Sequence, residues 1–171
     1  MDVFKAIESR RSIRKYKDQR IPDDLLHKIL EAGQLAPSAA NRQPWGVIVV
    51  RSPDAKKSAA MACNDCGFVA GCDVFLVCFG DPRDQWYQVD AAVALENMAL
   101  TAWGKGIGSC YVGYFSEDHL KSLFHIPPDM NVVVCMTLGY PDECPEARPR
   151  KGFDDLVFLE KYVVRGSSPP F

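Results

Sequence analysis

Arg10, Ser12 and Arg14 alternate along the stretch Arg10-Arg11-Ser12-Ile13-Arg14-Lys15-Tyr16. In an extended segment alternate residues project to one side, so two guanidiniums and a hydroxyl would share a face. That set suits a phosphate monoester, since arginine supplies forked, charge-assisted donors and serine a short third bond. A basic surface loop is the competing reading of the same residues. A second cluster, Arg148-Pro149-Arg150-Lys151, stands near the other end of the chain. It follows a strand pattern and a proline turn, so it can fold back toward the first. Two remote basic clusters converging on one dianion would form a clamp.

A second region of interest is Ala36-Pro37-Ser38-Ala39-Ala40-Asn41-Arg42-Gln43-Pro44-Trp45, a turn-rich loop of small and amide side chains. It offers a polar cradle for a flat ring. Other patterns carry less. Gly104-Lys105-Gly106-Ile107-Gly108 follows a helix pattern and opens a strand. A dinucleotide fingerprint needs the reverse order, so these glycines read as a helix C-cap. Cys63-Asn64-Asp65-Cys66 follows a helix, whereas redox pairs of that spacing open one, and no second ligand pair stands near for zinc. His27, His119 and His125 are isolated and read as surface residues.

The elements that must position these groups follow from periodicity. Residues 2–10 form a short helix with Asp2 as N-cap and Val3, Phe4 and Ile7 as its apolar stripe. Pro22-Asp23-Asp24 opens a second helix, with Leu25, Leu26, Ile29 and Leu30 on its buried face, ending between Gly33 and Pro37. Residues 46–50 read as a buried strand, 53–62 as a helix and 74–79 as a strand. The longest helix covers 85–105. Its alanines 91, 92, 94, 99 and 102 permit close approach of a neighbour, in the core or at a subunit interface. Strands follow at 107–115 and 131–140, separated by a helix that Ser116 caps and Pro127-Pro128 ends. Residues 154–164 form a last apolar segment, and Ser167-Ser168-Pro169-Pro170 a loose end. Scattered strands among more numerous helices indicate an α+β fold, a mixed central sheet flanked by helices with one long helix at its centre.

The 171 residues fit one domain spanning 1–171. A net charge of -2 gives no general pull toward nucleic acid or an anionic membrane. The first 20 residues nonetheless hold seven Lys/Arg against three Asp/Glu, which favours a small phosphate ligand. No apolar run reaches the ~20 residues of a membrane span, and the charged N-terminus lacks a signal-peptide core. The expected location is the cytoplasm. Seven cysteines, an odd number without a secretion signal, argue against a disulfide scaffold.

Four stretches together resemble the nitroreductase family of FMN-dependent oxidoreductases. They are Arg10–Tyr16, Ala36–Trp45, Asp90 through Leu100 continuing into Gly106–Phe115, and Leu138-Gly139-Tyr140-Pro141 with the basic turn at 148–151. The resemblance implies a homodimer with two FMN sites at the subunit interface. On this sequence Arg10, Ser12, Arg148 and Arg150 would hold the ribityl phosphate, Arg14 would reach the pyrimidine side of the ring, and Arg11 would belong to the same cofactor site. Pro37, Ser38, Ala39 and Asn41 would contact the FMN from the partner subunit. Tyr111, Val112, Gly113 and Tyr114 would line one ring face, with the Gly113 N–H near N5, and Asn64 matches an amide that contacts the ring. The implied activity is ping-pong hydride transfer through flavin N5 from NADH or NADPH to a small acceptor such as a nitroaromatic or quinone. The chemistry would belong to the flavin, so no catalytic side chain is assigned. An FMN-binding storage or sensor protein, or a specialised reductive enzyme on the same fold, are the alternatives. The chain is shorter than larger members of the family, trimmed between residues 62 and 73 and after the long helix, the regions that shape the substrate mouth in those members.

Overall fold

The computed structural model describes residues 2–162. The expected apolar segment therefore runs out of view after Tyr162, and residues 167–170 lie outside the described residues.

Among the described residues six α-helices and four strands follow one another: α1 (Val3–Ser9), α2 (Asp23–Gln34), β1 (Trp45–Val50), α3 (Pro53–Ala62), α4 (Gly67–Gly71), β2 (Val74–Gly80), α5 (Tyr87–Gly104), β3 (Gly108–Val112), α6 (Glu117–Phe124) and β4 (Asn131–Gly139), with short 3-10 turns at Ala39–Asn41 and Phe153–Asp155. The caps act where the sequence places them. Asp2 accepts from the Lys5 N–H, Ser52 from the Ala55 N–H and Ser116 from the His119 N–H.

The four strands form one sheet in the order β1-β2-β4-β3, every pair antiparallel. Its parallel component is a single bridge between Ser12 and Ser109 at the β3 edge. Alternation along β2 divides the molecule. Val74, Leu76 and Cys78 face a core built with α2 and α5, whereas Phe75 and Val77 face a second core built with α3, α4 and α6. All five are fully buried, because β2 has a strand on each side and a helical layer on each face.

The strand at Trp45–Val50 differs from expectation. It is an edge strand, half-buried for most of its length, with Val49 exposed. The stripe on α1 also differs: Val3, Phe4 and Ile7 are exposed, and it is Ala6 that packs inward. On α5, Ala91, Ala94, Leu95, Met98, Ala99 and Ala102 are buried, which makes it the central core helix. Gly106, at φ +79°, turns the chain out of α5, and the Ile107 N–H closes back on the Ala102 carbonyl. The glycines after the long helix are thus a C-cap leading into β3.

Candidate functional site

The strip after α1 is extended. The Ile13 N–H donates to the Ser109 carbonyl at 2.9 Å, and the Ile13 side chain is buried under the sheet edge. Gly108 permits this approach, since a Cβ there would stand 2.6 Å from the Ile13 side chain. Tyr16 pins the far end. Its hydroxyl donates to the Ile13 carbonyl at 2.5 Å and lies 2.6 Å from Thr137 Oγ1. Burial drives that phenol's pKa far above its ordinary value. With Ile13 turned inward, Ser12 and Arg14 are left on the outer side.

There the two basic segments meet. A cavity of about 440 Å³ is lined by Arg10, Arg11, Ser12 and Arg14 from one segment and Arg148 and Arg150 from the other, with Glu8 and Glu146 also on its wall. Arg11 is committed elsewhere: its Nη1 donates to the Glu8 and Arg10 carbonyls, both at 3.0 Å, at the C-terminal end of α1. The Arg14 guanidinium stands over the Phe68 ring at 6.0 Å. Arg10, Arg148 and Arg150 have no ion-pair partner among the described residues. Three guanidiniums without an ion pair among the described residues fit a dianionic phosphate around one cavity.

The loop at 37–43 is unusual in its backbone. Ala40, Asn41 and Gln43 all have φ near +50°, in the left-handed region that side chains with a Cβ rarely occupy. Tertiary bonds hold it there. The buried Asp90 carboxylate, in the first turn of α5, accepts from the Ala39 N–H at 3.3 and 3.2 Å. The Ser38 hydroxyl accepts from the Gln43 N–H at 3.1 Å, and Gln43 Nε2 donates to the Asn41 carbonyl and Oδ1 at 3.0 and 3.2 Å. Arg42 pairs with Asp84 at 2.5 Å, which holds that carboxyl below its usual range. Asn41 therefore shapes the turn, whatever else it touches.

The end of β3 is mixed in character. The Tyr111 hydroxyl donates to Glu96 Oε2 at 3.0 Å, and burial together with the Glu96 charge raises its pKa. Val112 is buried in the second core, so only its backbone is available to a ligand. Gly113 and Tyr114 are exposed. Asn64, itself at φ +58°, joins Tyr114, Met61 and Phe115 around a shallower cavity of about 270 Å³.

The profile of the Nitroreductase family matches residues 7–73 and 61–140. The chain belongs to the nitroreductase family. It is 37% identical over 152 residues to an Archaeoglobus fulgidus protein provisionally named NADH dehydrogenase/NAD(P)H nitroreductase, with 83% of this chain and 87% of that one covered. Among solved structures it is similar to an NADPH:FMN oxidoreductase from Vibrio harveyi complexed with NAD+, at 26% identity and a TM-score of 0.88. That alignment covers 95% of this chain and 78% of the other. A second is an FMN-dependent nitroreductase from Clostridium difficile, at 25% identity and 0.85, covering 92% and 98%. This nitroreductase-family chain is accordingly an oxidoreductase.

Within one chain of this nitroreductase-family member the expected site residues fall into separate groups. The two basic clusters come together, and so do Asn64 and Tyr114. The loop at 37–41 does not join them. It is tied to Asp90 near the start of α5, whereas the end of α1 is tied to Trp103 near its finish, where Trp103 Nε1 donates to Ser9 Oγ at 2.8 Å. The thirteen helical steps from Asp90 to Trp103 span about 20 Å. Asp90 itself carries a role the sequence reading did not assign. An acid in a first helical turn is expected for the helix dipole, and nothing local marks its grip on a loop 51 residues away.

Proposed function

We propose that this protein is an FMN-dependent NAD(P)H oxidoreductase that acts as a homodimer on a small acceptor such as a nitroaromatic or quinone. The observation that carries the reading is the cavity in which unpaired Arg10, Arg148 and Arg150 converge with Ser12. These residues would hold the ribityl phosphate, and Arg14 would favour negative charge on the pyrimidine side of the ring. The backbone at Tyr111–Tyr114 and the Asn64 amide would meet the ring. When bound, FMN supplies the redox chemistry, accepting hydride from the reduced nicotinamide and delivering it to the acceptor. The relatives named for NAD(P)H and FMN support the same assignment.

The dimer follows from what one chain leaves unfinished. The Asp90 anchor of the loop holding Pro37, Ser38, Ala39 and Asn41 stands about 20 Å along α5 from the Trp103 anchor of α1, and a second copy would bring the loop and the basic cavity to one flavin. Exposed Val3, Phe4 and Ile7 on α1, and Phe153, Leu156, Phe158, Leu159 and Tyr162 beyond the sheet, supply apolar surface for that contact. Among the described residues no helix is long and apolar enough to cross a membrane.

The test is direct. The visible spectrum of the purified protein should show a bound flavin, heat should release FMN as judged by mass, and anaerobic NADH or NADPH should bleach it. Recovery of FAD, failure to take up added FMN, or a flavin untouched by both nicotinamides would overturn the proposal.

A further inference from the structure

We propose that Glu143 is a positioning residue for the phosphate clamp, tying the strip at Arg10–Tyr16 to the loop that carries Arg148 and Arg150. The inference rests on the cofactor reading above. The two segments come from opposite ends of the chain and have separate supports. The first is held to β3 by the Ile13–Ser109 bond and, further on, to the end of β4 by the Lys17 N–H donating to the Tyr140 carbonyl at 2.9 Å. The Arg14 and Lys15 N–H groups lie between those two points. Glu143 Oε1 accepts from both, at 2.5 and 3.1 Å. Successive backbone N–H groups facing one oxygen make a small anion-binding concavity, here filled by the chain's own carboxylate.

The second segment gains more. The Asp142 N–H donates to the Lys15 carbonyl at 2.9 Å, and Lys15 Nζ pairs with Asp142 at 3.2 Å. Past that point, residues 143–151 make no backbone–backbone hydrogen bond among the described residues until the turn at 152–155. Among the described residues Glu143 thus makes the last hydrogen bond before Arg148 and Arg150. Electrostatics alone would select against it. A carboxylate beside Arg14 lowers the positive potential that a phosphate seeks, so its contribution to binding must come from position.

An amide keeps the accepting oxygen and loses the opposing charge, so Glu143→Gln and Glu143→Ala separate geometry from charge. Apoprotein is titrated with FMN and with riboflavin, which lacks the phosphate, and circular dichroism checks that each variant is folded. Glu143→Ala should bind FMN roughly tenfold more weakly with riboflavin unchanged, whereas Glu143→Gln should stay within about twofold of the parent or bind more tightly. Equal FMN affinity in Glu143→Ala and parent would overturn the inference. So would an equal loss for FMN and riboflavin, or a Glu143→Gln variant as weak as Glu143→Ala. A parent that prefers FMN no more than riboflavin would instead overturn the cofactor reading, and that pattern is visible before any variant is made.

Discussion

Four of the five arginines around one cavity should not be equal, and their differences can be worked out from their surroundings. Arg10 is half-buried and unpaired among the described residues. A charge-assisted bond to phosphate is worth about 1.5–3 kcal/mol, and about 1.4 kcal/mol is a factor of ten. Arg10→Ala should therefore weaken FMN by about ten- to a hundredfold. Arg148 and Arg150 are exposed, where water and salt screen the attraction. Each should cost about three- to tenfold when truncated, and the loss should shrink at high salt. Arg11 lines the same cavity, yet its guanidinium already caps carbonyls of α1. Arg11→Ala should change FMN affinity by less than about threefold and act on helix stability instead. Flavin fluorescence quenching at two salt concentrations, with riboflavin as the phosphate-free control, reads all four. An Arg11→Ala variant as weak as Arg10→Ala would refute the reasoning from bonding, and an Arg10→Ala loss equal for FMN and riboflavin would refute the phosphate assignment.

In a mixed dimer of one Asn41→Ala subunit and one Arg10→Ala subunit, FMN titration should show one normal and one badly weakened site. Two equally weakened sites would mean that both residues serve the same subunit's flavin. Asp90→Ala should strip the loop at 38–43 of its anchor, at about 1–3 kcal/mol for a buried charged acceptor. Calorimetry should then show a melting temperature lower by several degrees, and an unchanged melting point together with unchanged FMN affinity would show that Asp90 does not hold the loop. Burial pushes the Cys72 and Cys78 thiols up to about 12 from 9.0. Their neutral forms favour the folded state, so stability should be full below pH ~9, where the unfolded thiols stay protonated, and should fall as pH rises toward about 12. Denaturant unfolding across that range checks the sign. A disulfide reagent at pH 8 should find exposed Cys144 first, and rapid reaction of Cys72 or Cys78 would contradict their burial.

The elements legible in the sequence were those with local chemistry. Asp2, Ser52 and Ser116 announce helix starts because a cap acts over three residues. The helix α4 escaped, since Gly67-Phe68-Val69-Ala70-Gly71 is too short to show a 3.6-residue period and has glycine at both ends. It is held by the burial of Val69 in the second core. The apolar run at β1 reads like that of β2, and only the neighbouring strand, not the run itself, makes one an edge and the other a centre. Periodicity on α1 shows that an apolar face exists. It does not show whether that face meets the chain's own core, and here it does not.

The site divides along the same line. Alternation across Arg10, Ser12 and Arg14 predicts a shared face from three residues, and all three line one cavity, with Arg11 among them. The convergence of Arg148 and Arg150 on it depends on contacts spanning nearly 130 residues, above all Glu143 on Arg14 and Lys15. Sequence spacing holds no measure of those. The relation between Asn41 and Arg10 is a stronger case. They are only 31 positions apart, closer than Arg10 and Arg148, yet α5 stands as a rigid spacer between their anchors at Asp90 and Trp103. A helix cannot shorten to bring its two ends to one ligand. If both residues serve one flavin, another copy of the chain would bring the second half of each site, and the outward apolar face of α1, whose Ile7 also lines the basic cavity, would offer that copy a surface to cover.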